Sequence, residues 1–227
     1  MPRLSRLLAL LTVSAVAALA LPACDTGDAV DPPSPADIDG VYTVAEHSYS
    51  PITDDTFEFT DALMDEVFLR NTTTSHVIAT IDGTSDQITF NYQLSSDGYL
   101  IETWVFADGT LDHRGMRDKS VRDQVRVGLS TIYGSARGET YVIRRGEGSY
   151  TIHDFDPSRT SENTVVFDGL DFDDVSIVRY AGHIDMTIVD TGEKVRMYLG
   201  TSDQHRLHHW QFQDATYTWA EMDPMIP

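Results

Sequence analysis

The chain has 227 residues and carries 36 Asp and Glu against 16 Lys and Arg, for a formal net charge of −20 at pH 7. Because phosphate contacts need a basic surface, this acid excess argues against nucleic acid as a partner. The length suffices for a core without disulfide bonds, and the single cysteine rules out an internal disulfide. The acid excess fits a surface adapted to high salt, with cation binding and a basic partner as alternatives.

The first residues have the pattern of an export signal. Arg3 and Arg6 precede the apolar run Leu7–Leu21, and Leu21-Pro22-Ala23-Cys24 follows. A charged segment, an apolar segment and a small residue before a cleavage position are the parts of a signal peptide. These residues resemble the signal peptide of a bacterial lipoprotein. The resemblance implies cleavage before Cys24 and attachment of lipid to its thiol; an ordinary secretory signal with a chance cysteine is the alternative.

This interpretation divides the chain into three parts. Residues 1–23 are the expected signal peptide, residues 24–39 the lipidated cysteine with an acidic, proline-rich tether, and residues 40–227 a single β-rich domain. A retained transmembrane helix is disfavoured because the apolar run is shorter than the ~20 residues that span a bilayer. We expect a lipid anchor in the bacterial cell envelope, at the outer membrane or cell surface rather than the inner membrane.

Alternating apolar and polar residues predict β-strands through most of residues 40–227. Gln87–Leu94 shows the pattern most clearly, with Ile88, Phe90, Tyr92 and Leu94 on one face. Asp-Gly and Thr-Gly pairs between such runs favour tight antiparallel hairpins. The other predicted strands are Gly40–Ser48, His76–Asp82, Tyr99–Ala107, Glu139–Arg145, Ser149–Phe155, Asn163–Asp168, Val175–Ala181, His183–Asp190, Lys194–Leu199, Leu207–Gln213 and Ala215–Ala220.

Two segments depart from this alternation, and no internal repeat is evident. Asp61–Asn71 is consistent with a short helix, and Asp118–Tyr133 places apolar residues at helical spacing. The sequence therefore predicts an all-β domain, either an antiparallel β-barrel or half-barrel or a two-sheet sandwich, with one or two short helices. Gly40-Val41-Tyr42 resembles the Gly-x-Trp that opens the first strand of lipocalins, with tyrosine in place of tryptophan. That resemblance implies a barrel that holds a ligand.

Aromatic residues on the predicted strands are the first candidate site. Core packing is the default role for such residues, since aromatics are favoured in strands and in β-cores. In the functional interpretation they line a β-cavity that binds a small apolar or aromatic molecule or a lipid. The candidate ligand-binding residues are Tyr92, Trp104, Trp210, Phe212 and Trp219.

Two further clusters offer metal ligands. Asp171, Asp173 and Asp174 lie in an acidic loop whose oxygens suit calcium. His205 and His209 share one face of a predicted strand and suit a transition metal that finds a third ligand elsewhere. A solvated turn and a polar strand are the favoured alternatives, so we expect no cofactor, with calcium as the alternative.

The sequence contains no recognised catalytic motif, which favours a non-enzymatic protein. We expect a cell-envelope lipoprotein that binds a small apolar ligand or a lipid in a β-cavity. One alternative is an adhesion or envelope-assembly module that binds protein or glycan through an outer face, with calcium as support; another is a hydrolase with unrecognised residues. A deep apolar pocket favours the first, and a full interior with an exposed aromatic patch favours the second. A cleft with histidine and aspartate beside a serine favours the third.

Overall fold

The computed structural model describes residues 13–14, 41–44, 56–59, 62–72, 76–91, 93–94, 100–135, 137–154, 162–198 and 207–227. The strands are β1 (Val13–Ser14), β2 (Val41–Val44), β3 (Thr56–Phe59), β4 (Val67–Thr72), β5 (His76–Ile81), β6 (Gln87–Phe90), β7 (Thr103–Phe106), β8 (Gly109–Asp112), β9 (Thr131–Tyr133), β10 (Thr140–Ile143), β11 (Tyr150–His153), β12 (Asn163–Phe167), β13 (Val175–Tyr180), β14 (His183–Ile188), β15 (Lys194–Tyr198), β16 (Leu207–Gln211) and β17 (Thr216–Thr218). The helices are α1 (His113–Arg126) and α2 (Trp219–Met222), with 3₁₀ turns at Phe172–Asp174 and Asp223–Met225.

The strands form four sheets, with the orders β1-β3-β7-β8, β2-β6-β5-β4, β10-β12-β16-β17 and β13-β14-β15-β11-β9. The prediction of an all-β fold, as a half-barrel or two-sheet sandwich, is confirmed, and the sheets of the described residues do not close into a barrel. The expectation of purely antiparallel pairing is wrong: β3 pairs with β7, β10 with β12, and β12 with β16 in parallel. The chain crosses from one sheet to another between these strands, so each neighbour comes from a later pass and runs in the same direction.

Antiparallel hairpins occur where the turn residues predict them. Asp82-Gly83 joins β5 to β6, Asp108-Gly109 joins β7 to β8, and Thr191-Gly192 joins β14 to β15. Gly83 and Gly192 have φ values of 74° and 73°, a region that favours glycine because it has no Cβ.

The two predicted helices have different outcomes. Asp61–Asn71 is not helical in its described part: Val67–Thr72 forms β4, because Val67, Leu69 and Asn71 alternate inward toward the interior. The helix predicted over Asp118–Tyr133 exists but begins earlier, at His113, and ends at Arg126. Its N-cap is Asp112, whose carboxylate accepts from the Gly115 N–H at 2.6 Å.

Two hydrophobic cores lie on either side of α1. The first contains buried residues from Phe57 to Met116, and the second contains buried residues from Val121 to Ile226. Helix α1 gives Met116 to the first core and Val121 and Val125 to the second. Because one helix serves both cores, it joins the two halves of the protein.

The two cores belong to two copies of one arrangement of strands. The series β2 to β8 followed by α1 recurs as β11 to β17 followed by α2. The sheet orders also correspond: β2-β6-β5-β4 matches β11-β15-β14-β13, and β3-β7-β8 matches β12-β16-β17. We name residues 41–116 the first copy and residues 150–222 the second copy. The expectation that the chain contains no repeat is therefore wrong.

Individual contacts repeat between the copies as well. Each copy has a carboxylate that caps a turn amide after its β3 or β12 strand, a second carboxylate that closes the same turn, and a stacked pair of phenylalanines. The capping carboxylates are Asp108, whose Oδ1 accepts the Met64 N–H at 2.8 Å, and Asp214, whose Oδ1 accepts the Phe172 N–H at 2.9 Å. The second carboxylates are Glu66, whose Oε2 accepts the Leu63 N–H at 2.9 Å, and Asp174, whose Oδ2 accepts the Asp171 N–H at 3.1 Å. The stacked rings are Phe59 with Phe106, 5.2 Å between centroids, and Phe167 with Phe212, 4.4 Å between centroids.

The repeated caps predict matched effects on stability. We expect Asp108→Ala and Asp214→Ala each to lower the free energy of unfolding by about 1 kcal/mol, because each leaves a turn amide without its carboxylate acceptor. Urea unfolding measures both. Asp65→Ala and Asp173→Ala, at corresponding exposed positions, are the controls and should stay within about 0.5 kcal/mol of the parent. A loss in only one copy would contradict the equivalence.

Candidate functional site

The structure places the aromatic candidates in the core or against it. Trp104 and Trp210 are 0% exposed, and Phe212 is buried. Trp219 is partly buried, and its ring centroid lies 6.4 Å from that of Trp210. Tyr92 lies outside the described residues. The inward positions of these strands face the cores, so these side chains pack against other rings rather than present a surface to a ligand.

A groove in the described part of the chain lies elsewhere. It has a volume of about 650 Å³, is open to solvent, and runs along α1. Its walls include Met64, Leu111 and Val142, and none of the four described aromatic candidates. The geometry therefore gives no support to a β-cavity lined by those aromatics.

The acidic loop is held by bonds within the protein. Asp171 caps the 3₁₀ turn, and Asp174 accepts from the Asp171 N–H and lies 3.0 Å from an Arg145 nitrogen. The Asp171 amide, together with the Arg145 guanidinium, lowers the pKa of Asp174. Asp173 is exposed. The two bonded carboxylates thus stabilise the turn.

The histidine candidates are only partly described. His205 lies outside the described residues. His209 is half-buried on β16, and its Nε2 lies 3.3 Å from Glu162 Oε2. Across the described ranges, no group of three or more His, Cys, Asp or Glu side chains is arranged to hold a metal ion.

A row of five rings crosses the outer face of the five-stranded sheet. One ring comes from each strand, at outward-facing positions in register across the sheet. We name this row the ring ladder, and in strand order its members are Tyr180, His183, Tyr198, His153 and Tyr133. Sequence analysis did not single out the three tyrosines of this row.

The rings of the ladder stand against one another. Tyr180 and His183 stack at 4.7 Å between centroids, as do Tyr198 and His153. His183 lies 6.0 Å from Tyr198 and Tyr133 lies 5.6 Å from His153, in tilted arrangements. Tyr180 is 48% exposed and Tyr198 is 40% exposed. The ladder therefore forms a ridge of aromatic edges and polar tips that spans about 19 Å, four strand spacings.

Fixed charges flank the ladder on the same face. Arg196 donates two hydrogen bonds to Asp185, at 2.8 and 3.0 Å, and Lys194 lies 3.3 Å from the same carboxylate. The hydrogen bond from Arg196 lowers the pKa of Asp185, which stays ionised. His183 Nε2 lies 3.5 Å from Asp185 Oδ1. Polar groups in fixed positions thus adjoin the exposed rings.

The first copy shows that the fold does not require the ladder. At the positions that correspond to Tyr180, His183 and Tyr198, the first copy has Thr72, His76 and Asn91. Stacked cross-strand pairs stabilise sheets, which is the structural alternative for these rings. The four equivalent strands form a sheet in the first copy with only the histidine retained, so this order of strands does not require the ladder.

A second unusual feature is a pair of carboxyl groups buried in the second half of the chain. Glu139 is 0% exposed and Asp154 is 3% exposed. Glu139 accepts hydrogen bonds from the Ser135 hydroxyl and, at 3.4 Å, from the Tyr141 hydroxyl. Asn163 Nδ2 donates to Asp154 Oδ2 at 2.6 Å, and Asn163 Oδ1 accepts from the Glu139 N–H at 3.0 Å.

Burial and mutual repulsion govern the protonation of this pair. Desolvation raises the pKa of Glu139 well above its usual range, and the negative charge of Asp154 adds to that effect, while Arg117 opposes it. Burial likewise raises the pKa of the Tyr141 hydroxyl. A carboxyl group in this position favours its protonated form. Because both carboxyl groups are closed off from solvent, the pair ties strand ends together rather than presenting an open catalytic cleft.

Comparison with known proteins adds one finding. Residues 76–111 match the family model of the haemolysin-type calcium binding protein related domain. The match covers β5 through β7 and most of β8, in the first copy. No curated protein matches the chain. Within the matched residues, Asp108 accepts the Met64 N–H, as its counterpart Asp214 in the second copy accepts the Phe172 N–H. No helix in the described ranges is long and apolar enough to cross a membrane.

The buried carboxyl pair predicts a specific pH dependence. Because the pKa of Glu139 is raised in the native state, this group stabilises the fold at pH values below the ordinary glutamate pKa. That contribution to stability is lost as the pH rises from the ordinary value toward the raised native pKa of Glu139. Glu139→Gln imitates the protonated form, so we expect it to raise the urea midpoint at pH 8 more than at pH 5. Glu162→Gln, at a side chain that is 71% exposed, is the control. An equal change at both pH values would contradict the assignment.

Proposed function

We propose that this protein is a non-enzymatic, lipid-anchored protein of the bacterial cell envelope that binds a partner protein through the ring ladder. The observation that carries the proposal is the ladder itself: five rings in a row, with two stacked pairs, exposed at Tyr180 and Tyr198 on the outer face of one sheet. This arrangement favours the surface-binding alternative over a ligand cavity.

The chemistry of the ladder suits a protein interface. Tyrosine is enriched at such interfaces because it buries a large rigid ring while its hydroxyl keeps a hydrogen bond. Asp185 and Arg196 supply a polar border that is already ordered by their two hydrogen bonds.

The proposed lipid anchor and tether determine how far from the membrane the partner protein would be bound. Lipid on Cys24 would hold the chain at a membrane, since two or more acyl chains give stable attachment. The acidic segment from Asp25 to Asp39 would then extend up to about 50 Å from the membrane surface. A tether of that length would allow the outer face of the sheet to contact a neighbouring protein at the membrane.

Photo-crosslinking tests the binding face. A photoreactive amino acid at Tyr180, in cells that make the full chain, should give a discrete protein adduct. Tyr198→Ala should weaken that adduct about 10-fold, because a tyrosine buried at an interface contributes about 1 kcal/mol or more to binding. The same probe at Gln211, exposed on a different sheet, is the control. Equal adducts from both positions, or capture of glycan instead of protein, would overturn the proposal. Circular dichroism confirms that each variant folds.

The anchor has a separate test. Cys24→Ser should move the protein from the detergent-soluble membrane fraction to the aqueous fraction and abolish incorporation of labelled palmitate, because the thiol is the site of acylation. A variant at a neighbouring position, Thr26→Ala, should leave both unchanged. Membrane retention of Cys24→Ser would contradict the lipoprotein assignment without affecting the ladder.

A further inference from the structure

The charge exposed beside the ring ladder is positive. The Lys194 side chain is 46% exposed and the Arg196 side chain is 36% exposed, whereas the Asp185 side chain that both contact is 4% exposed. Arg196 donates two hydrogen bonds to that carboxylate, and Lys194 Nζ lies 3.3 Å from it. A guanidinium has five N–H donors and an ammonium has three, so both cations keep donors for a further acceptor. Two exposed cations thus share one buried carboxylate.

Acids are scarce around these cations. Asp185 is the only Asp or Glu among the residues of the five strands of this sheet. Glu193 directly precedes β15, but its two carboxylate oxygens accept from the Gly146 and Gly148 N–H groups at 2.9 and 2.7 Å. The chain as a whole carries a formal net charge of −20, so the charge exposed here is opposite in sign to that of the molecule.

The first copy lacks this group of charges. By the register of its hairpin, the positions that correspond to Asp185, Arg196 and Lys194 are occupied by Ile78, Thr89 and Gln87. The four equivalent strands of the first copy form a sheet without these three charges. Like the tyrosines of the ladder, the charges are therefore features of the second copy that its strand order does not require.

The local charge determines which surface can dock on the ladder. Net charge alone favours a basic partner, but at an ionic strength of 0.15 M charges interact over only about 8 Å. Arg196 lies two residues before Tyr198 on the same face of β15, so a surface that covers Tyr198 also lies beside Arg196. Complementary charges at an interface raise the association rate and select the partner, whereas like charges repel.

We propose that the partner protein docks on the ring ladder with an acidic surface, whose carboxylates bind Lys194 and Arg196 while its neighbouring side chains cover Tyr180 and Tyr198. Hydrogen bonds between a cation and a carboxylate are stronger than those between neutral groups, and an arginine fork fixes their geometry. This assignment rests on the proposed function, because it names the chemistry of the partner at the same face.

Charge variants in the photo-crosslinking experiment test the assignment. With the photoreactive amino acid at Tyr180, we expect Lys194→Glu to lower the adduct about 10-fold and Lys194→Gln about 3-fold, because a like charge repels the partner and a neutral group only loses the attraction. Lys194→Arg keeps the charge and should stay within about 2-fold of the parent. Arg70→Glu is the control, since it makes the same charge change at an exposed residue on β4, the equivalent strand to β13 in the first copy.

A reciprocal change in the partner completes the test. Mass spectrometry of the Tyr180 adduct identifies the partner and the segment that lies on the ladder. Replacement of an Asp or Glu of that segment by Lys should restore the adduct of Lys194→Glu. A Tyr180 adduct that Lys194→Glu leaves unchanged, or that falls equally with Arg70→Glu, would overturn the acidic surface and leave the ladder as the binding face. Absence of any adduct from the parent chain would overturn both.

Discussion

The carboxylate of Asp214 accepts the amide of Phe172, and the carboxylate of Asp108 does the same for Met64. Each bond joins the turn after one strand to a hairpin that lies much later in the chain. With the turn fixed, the chain crosses to the other sheet, and the stacked phenylalanines fill the space below. The parallel pairs of β3 with β7 and of β12 with β16 lie directly beside these capped turns.

The capped turn also gives the acidic loop a role in the fold. A carboxylate that accepts a turn amide holds that turn in place. The same arrangement in both copies, with Glu66 in one and Asp174 in the other, identifies it as a part of the repeated fold. Within the family match over residues 76–111, Asp108 is one of these turn-capping carboxylates.

Comparison of the two copies distinguishes the residues that the fold requires from the residues that a function would require. The copies share their capping carboxylates and buried rings, but they differ at the outer face, where Tyr180 and Tyr198 stand in place of Thr72 and Asn91. The edge of β4 is covered by Asp123 and Tyr133, whereas the equivalent edge of β13 is covered by Asp223 and Pro227. Differences between equivalent positions point to surfaces with a role beyond folding, and the ring ladder lies at such positions.

The sequence by itself determined the all-β class, most strand positions and the hairpin glycines, because a period of two and a positive φ are local properties. It did not reveal the repeat, since copies about 107 residues apart share few identities beyond pairs such as Trp104 and Trp210. Only the tertiary structure decided that Trp210 is buried and that the ring ladder exists. Burial and cross-strand register depend on which distant strands become neighbours, and no local pattern encodes that choice.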